Sequence, residues 1–435
     1  TDAKLDAFEP HKHITDKAGA TGYILEVDLD YPADLHVDHH SFPLAPQQST
    51  ITEADLSPFA KDALGALKRG GGSKGGIGAQ RRPPAKHTSR KLTATFRPRH
   101  RYLVHGLNLA FYLSQGLKLK KIHRGIAFRQ KAFIKPYVEL CTKKRQEAVS
   151  KAVANVWKKA INSLYGKMIE SNENRMDCRF NHDERRARAR FKCPAMKGAV
   201  VCSENLSVSF HRKKEAVMNQ SWAVGFAVLE ISKLIMQRLF YDVIKPAFNG
   251  DVGVLMSDTD SFVLLLPESN VDVALSKIDG VMDFSNYPTD HPLHDPVNKN
   301  VLGFLKNEVP SADPIVRFCG VKAKSYAFET ASNAADSKAK GIKIAFKKRL
   351  AFDDFRSVID DVASVSVAQF GIRSKDHVTS IVRSKRVAFT SFDDKRYLLC
   401  PRHSCPYGSI FEEGAPDDWQ EGCYFCEAGV ESAFM

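Results

Sequence analysis

The sequence predicts an α+β fold, from three observations: short apolar stretches alternate with period two, two long stretches carry apolar residues at helical spacing, and no internal repeat organises them. GYILEVDLDYP, at Gly22 to Pro32, alternates as a strand before Pro32 stops it. The segment GGGSKGGIGAQRRPP that comes later reads as a mobile basic loop. From Tyr137 to about Lys167 the pattern turns helical. There Val149, Val153, Val156, Ala160 and Leu164 form an apolar stripe, while Lys144, Lys151, Asn155, Lys158 and Asn162 form a lysine and amide face. A second long helix is expected from about Glu215 to Ile244, ended by Pro246. Pro267 to Glu308 is loop-rich, Val316 to Thr330 reads as extended, and helical character returns near Phe352 to Val365 before a cysteine-bearing tail.

At 435 residues the chain is long enough for two or three packed subdomains, and 43% hydrophobic with 26% charged residues is the balance of a soluble globular protein. No apolar run reaches the length of a membrane span, and the N-terminal TDAKLDAFEP lacks a signal-peptide pattern, so an intracellular site is expected. The nine cysteines are scattered, which suits reduced thiols. The net charge of +14 is concentrated in KRGGGSKGGIGAQRRPPAKHTSRK, KLKKIHR, CTKKRQ, DERRARARFK and KAKGIKIAFKKR. One such cluster is ordinarily solvated surface; five together favour nucleic acid over an anionic membrane as partner.

VLMSDTDSFVLLL, at Val254 to Leu266, sets Asp258 and Asp260 one residue apart between apolar runs. The carboxylates point together along a strand or crowd one hairpin tip, so they must share a proton, meet cations or hold a metal. The plain alternative is a polar turn. Acidic strands in a basic protein with a lysine-faced helix point to phosphoryl transfer from a nucleotide, with hard oxygen ligands for two Mg²⁺ ions and lysines for the triphosphate.

SDTDSF resembles motif C of family B DNA polymerases, KKAINSLYGK contains their motif B pattern, LEVDLDYP resembles motif A and VKAKSYAF contains the Lys-x-Tyr motif that touches the primer. The four occur in the family's order. EVDLDYPADLHVDHHSFPLAP, SNYPTDHPLHDPVNKNVLGFLKNE and AFTSFDDKRYLL are similar to the protein-primed branch, especially polymerases of Polinton or Maverick elements and related viruses. The resemblance covers roughly residues 20 to 410. It implies a right-hand fold with an antiparallel palm sheet, helical fingers and a thumb, and DNA-templated DNA synthesis from dNTPs on a primer, probed by the following divisions: 1–39, palm with motif A; 40–130, an insertion region; 131–200, fingers; 201–330, palm with motif C and Lys-x-Tyr; 331–435, thumb and tail.

By the same resemblance Asp260 is the principal metal ligand with Asp258 beside it, Lys158 contacts the triphosphate, and Asn162 and Tyr165 border the incoming base pair. Arg145 is a further phosphate candidate, Tyr31 stands under the deoxyribose and excludes a 2′ hydroxyl, and Lys324 and Tyr326 position the primer terminus. Motif A is irregular: counting back from Tyr31 and Pro32 puts Glu26 at the ligand position, while Asp28 matches in residue type. Asp28 is favoured as the shorter carboxylate, with Glu26 as competitor. The proofreading exonuclease that normally precedes motif A is expected to be missing, which makes the chain a fragment or a polymerase module. The place of residues 40–130 implies a terminal priming protein as partner. The cell nucleus and a viral replication site both fit.

Cys400, Cys405, Cys423 and Cys426, with His403 between, are near a zinc-ribbon spacing but with a wide first pair, and reduced thiols are preferred to zinc. Two other functions compete with an active polymerase. One is a decayed mobile-element remnant that only binds DNA. The other is a reverse transcriptase or RNA polymerase, which Tyr31 and the NSLYG helix disfavour.

Overall fold

The computed structural model describes residues 21–70, 88–172, 175–213, 220–299, 301–347, 350–360, 364–375 and 378–412, with the single positions 10, 14 and 215. Two compact units result: Thr1–Gln130 with Ser232–Met435, and Lys131–Ile231.

The first unit begins with β1, Thr21–Asp30, whose alternation buries Leu25, Val27 and Leu29 on one face and puts Glu26, Asp28 and Asp30 on the other. β2 (Gln47–Thr52) pairs with β3 (Thr88–Thr93), and the helix α1 (Pro58–Gly70) lies between them in sequence. β4 (Arg99–His105) leads into α2 (Gly106–Ser114) and β5 (Lys118–Arg129). β4 and β5 take both edges of β1, all antiparallel. The basic glycine-rich loop expected between α1 and β3 lies outside the described residues.

The second unit opens with a helical hairpin, α3 (Lys135–Gln146) and α4 (Lys151–Met168). The single helix expected from Tyr137 to Lys167 is thus two, because Ser150 caps α4: its Oγ accepts from Val153 N at 3.3 Å and fixes a helix start there. Lys144 and Arg145 therefore sit on α3 and not on the helix of Lys158, a correction to the lysine face. The apolar stripe is corrected as well. Val149 is 97% exposed before α4 and Val156 is 63% exposed on it, and α4 has no buried residue. β6 (Met176–Asn181), the arginine-rich α5 (Glu184–Phe191), β7 (Met196–Ser203) and β8 (Leu206–Arg212) follow, with sheet order β6-β8-β7. Among the described residues of this unit, Cys141 is the one buried apolar side chain.

The helix expected from Glu215 starts later, as α6 (Trp222–Arg238), and continues through a π-helical turn at Leu239–Ile244 that buries Phe240, Tyr241 and Ile244. Pro246 sits in the closing helical turn Lys245–Ala247. β9 (Gly253–Ser257) and β10 (Phe262–Leu265) form their own two-stranded antiparallel sheet, since β1 has no free edge. The loop-rich stretch that follows includes the short helix α7 (Val271–Ser276). β11 (Ile315–Lys322), β12 (Ser325–Thr330) and β13 (Ala335–Ala339) make a further sheet, against which α8 (Phe352–Asp360) buries Phe355 and Val358. The long ribbon β14 (Ser364–Lys375) and β15 (Val378–Thr390) follows. Beyond it, buried Asp394 accepts from Ser89 Oγ at 2.6 Å and pairs with Lys91, which fastens β3 to the C-terminal segment. No described helix is long and apolar enough to cross a membrane.

The principal core gathers Leu25, Val27, Leu29, Tyr31, Val104, Phe240, Tyr241 and Val254, so β1 and β9 stand on one apolar foundation.

Candidate active site

Asp28 owes its setting to backbone irregularities. On β4, His100 and Arg101 lie opposite the single residue Asp28, since Val27 pairs Tyr102 and Leu29 pairs Arg99. This is a β-bulge, and Arg101 takes a left-handed φ of 51° in it. Its N–H donates to Asp28 Oδ1 at 2.8 Å. β5 is bulged on both sides of the same residue, with His123 and Lys120 as the unpaired residues. His123 Nε2 lies 2.9 Å from Asp28 Oδ1, and Lys120 Nζ lies 2.9 Å from Asp30 Oδ2. The Arg101 N–H, and then His123, hold the Asp28 carboxyl below its usual range.

Glu26 is enclosed instead. It is 8% exposed, and Arg124 Nε donates to its Oε2 at 2.6 Å. The residues Lys120, His123 and Arg124 belong to the KLKKIHR cluster, which the sequence assigned to a polyanion; here Lys120 and Arg124 are counter-ions to Asp30 and Glu26, and His123 stands against Asp28. Only the alternation of charge sign between β1 and KLKKIHR could have signalled this.

Tyr31 follows β1 into the core. Its hydroxyl lies 2.6 Å from His39 Nδ1 and accepts from Leu44 N–H at 3.3 Å. Phe96 packs against its ring at 4.6 Å between centroids, and the Arg99 guanidinium stands 5.7 Å over it. Burial pushes the Tyr31 hydroxyl pKa up and the His39 imidazole down to about 4.

Asp258 and Asp260 occupy the turn between β9 and β10, so the tight hairpin tip is the arrangement adopted. Asp258 N–H donates to Ser261 O at 3.1 Å, and Thr259 between the carboxylates has φ 64°. The hairpin turn after β11 brings Lys324, also at φ 64°, to the same place: its Nζ lies 2.9 Å from Asp258 Oδ1 and is the main cause of that carboxyl's lowered pKa. Tyr326 is buried on β12 and stacks on Phe318 at 5.6 Å. Asp260 is exposed: its N–H donates to Asp258 O at 2.7 Å, and its carboxylate has no partner among the described residues. Lys324 and Asp258 are therefore brought together, as are Asp28 and His123.

In the second unit Lys158, Asn162 and Tyr165 lie at helical spacings of four and three on one side of α4, with Lys158 and Asn162 exposed. Arg145 is half-buried on α3.

The donors Asp28, Asp258 and Asp260 are hard oxygens of the type Mg²⁺ takes, and Asp28 and Asp258 each engage one oxygen, leaving Oδ2 without a partner among the described residues. As the side chains stand, no three His, Cys, Asp or Glu among the described residues group closely enough for a metal. That holds for the cysteines as well. Cys400 Sγ lies 3.2 Å from His403 Nδ1 and Cys405 is buried, while Cys423 and Cys426 lie outside the described residues. Comparison with protein-family models, with curated proteins and with solved structures gives no match to this chain.

Proposed function

We propose that this chain is a DNA-directed DNA polymerase of the family B type, extending a primer 3′ hydroxyl with dNMPs, in the protein-primed replication of a viral or mobile-element genome. The observation that carries this reading is that the strands bearing Asp28 and the Asp258–Asp260 turn rest on a single core, with Leu25, Val27 and Leu29 of β1 and Val254 of β9 as members. Two acidic strands on a common rigid base are what a pair of divalent cations needs. Bound at Asp28, Asp258 and Asp260, Mg²⁺ would supply Lewis-acid stabilisation of the attacking and leaving oxygens.

The chain's own residues then divide the remaining work. Asp28 serves as the β1 ligand in preference to Glu26, whose carboxylate Arg124 already occupies. Lys324, on a tight turn beside Asp258, meets the primer backbone, and Tyr326 behind it sets the position of that turn. The Tyr31 ring limits space at the sugar. Lys158 and Asn162, both exposed, and Tyr165 share a side of α4, as a nucleotide-contacting helix requires, and Arg145 adds a phosphate contact.

The test is extension of a labelled DNA primer on a DNA template with Mg²⁺ and dNTPs, beside Asp260→Asn. Extension that vanishes in the variant supports the proposal. No extension, with salt-sensitive DNA binding intact in both proteins, would favour the DNA-binding remnant. The ion pairs already made by Asp28 and Asp258 are the observation on the side of that second reading.

A further inference from the structure

Behind Tyr31 lies a polar chain that the catalytic reading does not use. The Tyr31 hydroxyl has one hydrogen to give. Leu44 N–H donates to the hydroxyl oxygen at 3.3 Å, and His39 Nδ1 lies 2.6 Å away. Because Nε2 faces the Asp38 carboxylate at 3.6 Å, we assign the imidazole hydrogen to Nε2, so that Tyr31 donates to Nδ1. Asp38 is anchored by Lys245, whose Nζ also donates to the Asp38 carbonyl at 3.1 Å. The imidazole is wedged edge-on between Tyr31 at 5.6 Å and Tyr241 at 4.9 Å between ring centroids. Tyr241 is fixed in turn by donating to Phe42 O at 2.7 Å.

A phenol whose hydroxyl is tied from two sides cannot swing about its Cα–Cβ bond or withdraw without breaking a buried hydrogen bond. Such a bond is worth about 1 kcal/mol net, and more when its loss strands a polar atom. His39 thus sets where the ring of Tyr31 stands. We propose that His39 is a positioning residue for sugar selection: through the Tyr31 hydroxyl it fixes the ring against which a 2′ hydroxyl is rejected. This rests on the polymerase reading above, and it assigns to buried His39 of the HVDHH segment a role in choosing deoxynucleotides.

The experiment compares kcat/KM for a dNTP and the matching rNTP in the unaltered protein, Tyr31→Phe, His39→Leu, His39→Asn and the Tyr31→Phe/His39→Leu double variant, each checked for folding by its thermal melt. A global loss of stability scales both substrates alike, so the ratio isolates positioning. His39→Leu and Tyr31→Phe should each lower the dNTP preference about tenfold, and the double variant should lower it no further, since both cut one bond. His39→Asn, which keeps a polar atom near the Nδ1 position, should retain most of the preference. Unchanged preference in His39→Leu beside a loss in Tyr31→Phe, or losses that multiply, would overturn the positioning role and leave the polymerase reading standing. Absence of extension in the unaltered protein would overturn both. Independently of activity, a ¹⁵N shift of His39 Nδ1 that is unchanged by Tyr31→Phe would show that no bond joins them and would overturn the inference.

Discussion

In the first unit Asp28, Tyr31 and Asp258 are each held by named partners above a buried core, whereas in the second unit Lys158 and Asn162 extend from a helix without one buried residue. The difference matches the roles proposed above for each kind of group. Carboxylates that repel one another keep a common position only if bulges, counter-ions and apolar packing hold them there. A lysine meant for a polyphosphate needs reach and charge more than fixed geometry.

The sharpest way to break this contrast is to remove charge without changing shape. Asp260→Asn and Asp28→Asn should each lower primer extension about 1,000-fold, while Glu26→Gln leaves a measurable rate. The reverse ranking of Asp28 and Glu26 would move the ligand one step along β1. Next in size is the core itself: Leu29→Ala should cost about 3 kcal/mol in denaturant unfolding, because a fully buried side chain leaves a cavity.

Acid sharpens the contrast from another side. Burial holds the His39 pKa near 4 and the His40 pKa near 3, below the ordinary 6.5, so the unfolded chain takes up protons that the folded one refuses. The stability from neutral imidazoles is complete above about pH 6.5 and is lost as pH falls toward those values. Between pH 7 and 5 the loss should be about 2 kcal/mol for each histidine, read from urea midpoints, and His39→Asn should remove its share. Smaller still, Lys158→Ala should raise KM for dNTP about tenfold with an unchanged melt. Smallest of all, Val156→Ser on exposed α4 should alter unfolding free energy by less than about 0.5 kcal/mol.

The strand at Gly22–Pro32 and the paired strands around Asp258 were legible because alternation and a polar interruption are local signals. The break at Ser150 was legible in principle, since a serine before helical periodicity is a capping signal, but continuous lysine spacing masked it. The burial of His36, His39 and His40 was hidden, because a His-rich stretch reads as polar until Phe96, Tyr241 and Arg396 are seen around it. So were the bulges at Arg101, Lys120 and His123, which depend on the register between strands far apart in sequence.

Arg99 carries one more consequence. It is 1% exposed, and among the described residues its guanidinium meets no carboxylate: its donors go to the carbonyls of Leu44, Ala45, Thr95 and Arg97, beneath the ring of Tyr31. Backbone dipoles solvate this charge without cancelling it. Mobile ions screen exposed lysines within about one Debye length, but they cannot surround a cation sealed in protein. The molecule therefore keeps a permanent positive charge beneath Tyr31. As salt rises and the surface lysines fade, this charge still acts almost unscreened on the buried groups around it.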